Sequence, residues 1–224
     1  MNALIFDVAW QSLLDWLAVP EQDARILRAE VEERHGEAGR AYHNLSHALR
    51  VLQDAKRFAH RFGVEDYGAV QWAALLHDVV YDTRSRDNEA ESAEFAVRWG
   101  RALGVLPETY TRAGEIIRAT QTHDPAGLPD AALVIDADLA ILASAPDDYE
   151  VYRKAIRREY AWVPEADWTV GRRRVLTVFL ERKQIYHLPQ VGNRREETAR
   201  ANIARELADL DEGGRGNERF ASGD

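Results

Sequence analysis

The segment Ala74-Leu75-Leu76-His77-Asp78 constrains the fold more than any other stretch of the chain. An apolar run ends in an imidazole and a carboxylate, followed by the polar turn Val79-Val80-Tyr81-Asp82. Alone, a His-Asp pair is common and reads as a plain polar helix terminus, so its meaning depends on the other polar residues of the chain. Histidine is a good transition-metal ligand, and an aspartate offers two oxygens that bind one ion or bridge two. Neighbouring residues on a helix point about 100° apart. At a helix end that fan still lets a long imidazole and a short carboxylate converge on one ion.

The rest of the chain reads as helices. Apolar residues recur at helical spacing from Asn2 to Val19, and Pro20 opens a second helix that ends near Gly36. After the loop from Gly36 to Arg40, Asn44 or Ser46 caps a helix running to Gly63. His43 and His47 share a face of it if the helix begins early enough. Tyr67 to Val80 is the apolar helix carrying His77 and Asp78. Asp87 or Asn88 caps the next helix, and Pro107, Pro129, Pro146 and Pro164 each open one. An amphipathic helix from Arg194 to Leu210 comes last. No alternating β pattern of useful length appears. The expectation is an all-α fold, a helical bundle of about nine or ten helices. Residues 1–211 form its one domain, and 212–224 are a flexible, Gly-rich tail. With 46% apolar residues in 224, there is ample material for a core.

Cysteine is absent, which excludes disulfides and thiolate ligands and fits a reducing, cytoplasmic setting. No apolar run approaches a membrane span, and the start, with Asp7 and no basic stretch, does not read as a signal peptide. The formal net charge of −9 argues against broad nucleic-acid or anionic-membrane binding. It leaves room for a small anionic substrate held by a local metal. Exposed aromatics are compatible with a homodimer, which no particular residue argues for.

Polar residues inside otherwise apolar helices are His43, His47, His77, Asp78 and Asp138, with His123 at a helix end. Imidazole and carboxylate form a mixed donor set that suits Mn, Fe, Co, Ni or Zn, and Mg less well. Two His and two Asp leave positions open on an octahedral ion, as a catalytic metal needs. Asp136, two residues before Asp138, points to a different helix face and is the weaker ligand candidate. His35, His60 and His187 are expected at the surface.

His47-Ala-Leu-Arg50-Val51, His77-Asp78 and Asp138-Leu139 resemble the H…HD…D signature of the HD-domain superfamily of metal-dependent phosphohydrolases. The likeness extends through Tyr42-His43-Asn44, Tyr81-Asp82, Asn88-Glu89, Ser92-Ala93, Thr120-x-x-His123, Ile156-Arg157-x-Glu159-Tyr160 and Gly171-Arg172, which look like a bacterial group of predicted HD phosphohydrolases. Tyr42-His43-Asn44-x-x-His47 also resembles the cyclic-nucleotide phosphodiesterases of animals. The resemblance implies an all-helical fold and a metal site formed by His47, His77, Asp78 and Asp138. His43 would then be a general acid, and Asp78 a catalytic ligand able to bridge to a second ion. Tyr81 stands where the phosphodiesterases have another His, and their purine clamp has no counterpart here, so cyclic-nucleotide specificity is not implied.

Asp82 and Glu89 are read as pocket lining or as partners of the ligands, against plain solvated charges. His123 is read as a second-metal or phosphate contact, against a helix-end histidine. Arg84, Arg86 and Arg157 are candidates to meet a phosphate; for Arg157, beside Glu159 and tyrosines, an ion pair is the stronger reading. The expected activity is phosphoester hydrolysis of a nucleotide or related small phosphorylated substrate, with one or two divalent ions. Two alternatives stand beside it. An HD-fold di-iron oxygenase generally needs two further histidines between the His-Asp pair and the last Asp, and only His123 lies there. A non-catalytic regulatory module that binds a nucleotide or metal would tolerate loss of the ligands, which are intact.

Overall fold

The computed structural model describes residues 2–189 and 192–221, and side chains for 4–189 and 195–212. In chain order the helices are α1 (Asn2–Leu17), α2 (Glu21–His35), α3 (Leu45–Phe62), α4 (Tyr67–Leu76), α5 (Asn88–Ala102), α6 (Pro107–Thr120) and α7 (Pro129–Asp138). A short 3-10 helix, Leu139–Ala143, leads to α8 (Pro146–Glu159), α9 (Glu165–Glu181) and α10 (Gly192–Ala221). Among the described residues there are thus ten α-helices and no strand, the all-α fold that the periodicity predicts. No helix among them is long and apolar enough to cross a membrane. The chain packs as two compact units, Met1–Asp138 and Leu139–Asp224, with no change of composition at the boundary.

In the first unit α4 is the central element. Every residue from Gly68 to Leu76 is buried, which is how a helix apolar on all sides behaves. It packs on α1, α3, α5, α6 and α7. Its N-terminus is fixed by polar side chains: Asp66 accepts from the Ala69 amide at 2.9 Å and from Thr109 Oγ1 at 2.8 Å. Buried Asp130 accepts from the Glu65 and Asp66 amides, both at 2.9 Å. The indole of Trp72 donates to the Ala96 carbonyl at 3.1 Å, tying α4 to α5. Helices α5 and α6 approach closely, with Gly100 against Tyr110 and Gly114 against Val97.

Three local differences from the sequence reading matter. Helix α4 stops at Leu76 rather than Val80, because side chains claim the peptide groups beyond it. Arg40 takes the carbonyls of Asp78 and Val79, and Ser92 Oγ takes the amide and carbonyl of Val80. Helix α3 begins at Leu45 with Asn44 as N-cap, its side chain accepting from the Ser46 and His47 amides. His43 therefore precedes the helix and does not share a helical face with His47. His35, expected at the surface, is 3% exposed, with Nδ1 2.9 Å from the Val31 carbonyl.

In the second unit, α10 packs on α9 and on the 3-10 helix. Its inner face holds Ala199 and Ile203 but also buried Asn202 and Glu206. Both polar residues are satisfied. Asn202 donates to the Leu142 and Ser144 carbonyls, and Glu206 pairs with buried Arg172 and accepts from Tyr149. Helix α10 starts before Arg194 and runs past Leu210, and its backbone stays helical through Ala221 across the stretch read as a tail. Adding residues to an existing helix costs far less than nucleating one. Residues 222–224 of that stretch lie outside the described residues.

Candidate metal centre

The packing of the first unit brings the N-terminus of α3 to the C-terminal ends of α4 and α7. His47 comes from the first turn of α3, His77 from the C-cap of α4, Asp78 from the residue after it, and Asp138 is the last residue of α7. Helix C-termini carry partial negative charge, so α4 and α7 both favour a cation at this point.

The four side chains point ring nitrogens and carboxylate oxygens at one another. His47 Nε2 lies 3.2 Å from His77 Nε2 and 3.4 Å from Asp78 Oδ2. His77 Nε2 is 3.1 Å from the same oxygen. Asp138 Oδ1 completes the group, 3.1 Å from His47 and 3.7 Å from His77. Ligands about 2.1 Å from a shared ion stand roughly 3.0–3.4 Å apart at octahedral to tetrahedral angles. The spacings among His47, His77 and Asp78, 3.1–3.4 Å, are of that size, and Asp138 Oδ1 stands slightly farther from His77. His77 Nδ1 faces the Ala74 carbonyl at 3.0 Å, and a carbonyl can only accept, so the ring proton belongs on Nδ1 and the Nε2 lone pair faces the cluster. Both histidines are 2% exposed, and the Asp78 and Asp138 side chains are 14% and 18% exposed.

Such an arrangement is stable only with positive charge inside it. Burial opposes a charged His77, yet Asp78 and Asp138 outweigh it and hold its pKa well above the ordinary imidazole value. Burial likewise works to raise Asp78, but His77 and His47 hold it well below the usual carboxylate range. Asp138 is held low in the same way, against burial, by His123, His47 and His77. Protons on imidazole and a divalent ion are the two ways to neutralise this cluster, and they compete. The donor set, two imidazoles and two carboxylates, fits a divalent transition ion. Asp138 presents Oδ1 to both histidines.

The remaining residues singled out in the sequence fall into place around this group. The His43 ring stacks on Tyr81, centroids 4.1 Å apart and planes 27° apart, and meets the edge of His47 at 5.6 Å. His123 Nε2 reaches the second oxygen of Asp138 at 3.5 Å, from a left-handed backbone conformation (φ 50°) that is uncommon for a histidine. Glu89, in the first turn of α5, is half-buried, and burial together with the charge of Asp78 raises its carboxyl pKa. Asp82 is exposed, and its carboxylate accepts from the Arg84 amide, organising the loop 81–88. Arg157 lies in the second unit. It pairs with Glu165 at 2.9 Å, not with Glu159, and donates to the Tyr160 and Val163 carbonyls.

One residue near the site escaped the sequence reading altogether. Arg40 is 3% exposed at its side chain and donates to the carbonyls of Asp78 (2.6 Å), Val79 (3.0 Å) and His43 (3.3 Å). A single Arg in a turn before Tyr42-His43 carries no periodicity or spacing that distinguishes it from a solvated charge.

Comparison with known proteins places a family on this segment. The model of the HD domain matches residues 44–144, a span that contains His47, His77, Asp78, His123 and Asp138. No curated protein and no solved structure matches the chain. HD domains generally belong to metal-dependent phosphohydrolases, and His47, His77 and Asp78 form a group able to hold a metal.

Proposed function

We propose, on the premise that residues 44–144 are an HD domain, that this protein hydrolyses a phosphoester of a small phosphorylated substrate, such as a nucleotide. The observation that carries the reading is the meeting of two imidazole nitrogens and two carboxylate oxygens, from His47, His77, Asp78 and Asp138, at 3.1–3.7 Å. These four residues would hold a divalent transition ion. An ion there supplies Lewis acidity, lowering the pKa of water from 15.7 towards about 7 and polarising a phosphoryl oxygen.

The chain supplies the rest. His43 stands beside the cluster, its ring stacked on the face of Tyr81. From there it delivers a proton to the leaving oxygen, a contribution typically worth 10²–10⁴ in rate. The Tyr81 ring fixes the orientation of that imidazole. His123 holds Asp138 from behind through its second oxygen. Such partners of a ligand orient it and raise its basicity.

Phosphate release from a panel of nucleotides and phosphoesters, with added Mn, Co, Ni or Mg, tests the reading. His43→Ala is expected to keep the metal and to lose turnover by about 10²–10⁴. Full turnover in His43→Ala removes the acid from this account. Iron near two per chain with no phosphate release from any substrate points instead to an oxygenase.

A further inference from the structure

Five contacts converge on Arg40. Its Nη1 donates to the Asp78 carbonyl at 2.6 Å and to the His43 carbonyl at 3.3 Å, while Nη2 donates to the Val79 carbonyl at 3.0 Å. Its guanidinium also lies 5.7 Å from the centre of the Tyr81 ring, the ring that stacks on His43. The side chain is 3% exposed, and its one acidic partner, Glu37 at 3.0 Å, is 47% exposed. Removing a guanidinium from water is costly, and a half-solvated carboxylate offsets only part of the cost. The three carbonyls are what the charge serves here. Two belong to the turn that follows α4, one to the segment that leads into α3.

From these contacts we infer that Arg40 is a positioning residue: it fastens the Asp78 turn to the His43 segment, so that ligand and acid keep one geometry. The planar fork makes this possible. Nη1 and Nη2 on a rigid frame bind the His43 and Val79 carbonyls, 36 positions apart in the sequence, which a single ammonium on a flexible stem does not reproduce. The clamp acts on both halves of the proposed chemistry. Through the Asp78 and Val79 carbonyls it prevents α4 from winding on past Leu76, which would turn the Asp78 side chain away from His77. Through the His43 carbonyl and the Tyr81 ring it sets where the proton donor stands. Arg40 touches neither a substrate nor the acceptor atoms of the cluster, so its effect is conveyed by backbone.

The inference rests on the metal-site reading above, and its test does not depend on knowing the substrate. Mn²⁺ is titrated calorimetrically into the metal-stripped full chain, for wild type, Arg40→Lys, Arg40→Gln and Glu37→Gln, with helix content checked by circular dichroism. Loss of a partner behind a metal ligand commonly weakens binding by 10–100-fold. Arg40→Gln is expected in that range, Arg40→Lys at its lower end, and Glu37→Gln within about two-fold of wild type. If Arg40→Gln does not fold, Arg40→Lys decides alone. Folded Arg40 variants that bind Mn²⁺ like wild type, even if they melt earlier, overturn the inference and leave the metal site standing. Wild-type protein that binds no Mn²⁺ overturns both.

Discussion

His35 has its Nδ1 against the Val31 carbonyl, and its buried Nε2 has no hydrogen-bond partner. Burial pushes its pKa from 6.5 down to about 4. Above pH 6.5 the imidazole is neutral in both folded and unfolded chains and contributes no pH dependence. Below it the unfolded chain takes a proton that the folded chain refuses until about pH 4, so stability is lost as the pH falls through that window. Between pH 7 and pH 5 the loss is about 2 kcal/mol for this one group. Urea unfolding of wild type and His35→Gln at both pH values isolates it, because the other titrating groups cancel in the comparison. Wild type is expected to lose about 2 kcal/mol more than the variant; equal losses contradict the burial argument. Residues differ in how far they announce themselves. That His47, His77, Asp78 and Asp138 meet was legible from their spacing and their resemblance to the HD signature, with polar groups in apolar helices as a weaker sign. Arg40 and His35 were not, because their burial depends on turns that only the folded chain creates.

Helix termini decide where the chemistry sits. Asn44 caps α3 by accepting from the Ser46 and His47 amides, which places His47 in the first turn and leaves His43 outside the helix. The proline-opened starts at Pro107, Pro129 and Pro146 were readable from sequence, because proline's fixed φ suits a first helical residue. The end of α4 was not, since Arg40 and Ser92, remote in sequence, close it. The α5–α6 contact depends on a missing side chain. A Cβ at Gly100 would overlap Tyr110 Cβ, an atom too near its own backbone to swing aside. Alanine is favoured over glycine in a helix by up to about 1 kcal/mol, but overpacking of this kind costs about 1–3 kcal/mol. Gly100→Ala is therefore expected to lower stability in chemical denaturation by a net 1–2 kcal/mol or so. An unchanged or raised stability contradicts the close approach.

For the whole molecule, helical periodicity without any β alternation was enough to indicate an all-α chain, and the order of motifs was enough to indicate an HD domain. The division into Met1–Asp138 and Leu139–Asp224 was not visible, because no linker or shift of composition marks the boundary at Asp138-Leu139. All four proposed ligands belong to the first unit, with Asp138 as its final residue. The substrate is a question of pocket chemistry that motif order does not encode. The central claim is narrower: one divalent ion sits among His47, His77, Asp78 and Asp138. Elemental analysis of protein purified without chelators, alongside Asp138→Ala, tests it most directly. The account predicts about one transition-metal ion per wild-type chain and strong depletion in a folded Asp138→Ala variant. Wild-type protein that stays metal-free even after incubation with Mn, Fe, Co, Ni or Zn, or an Asp138→Ala variant that keeps its full complement, contradicts it.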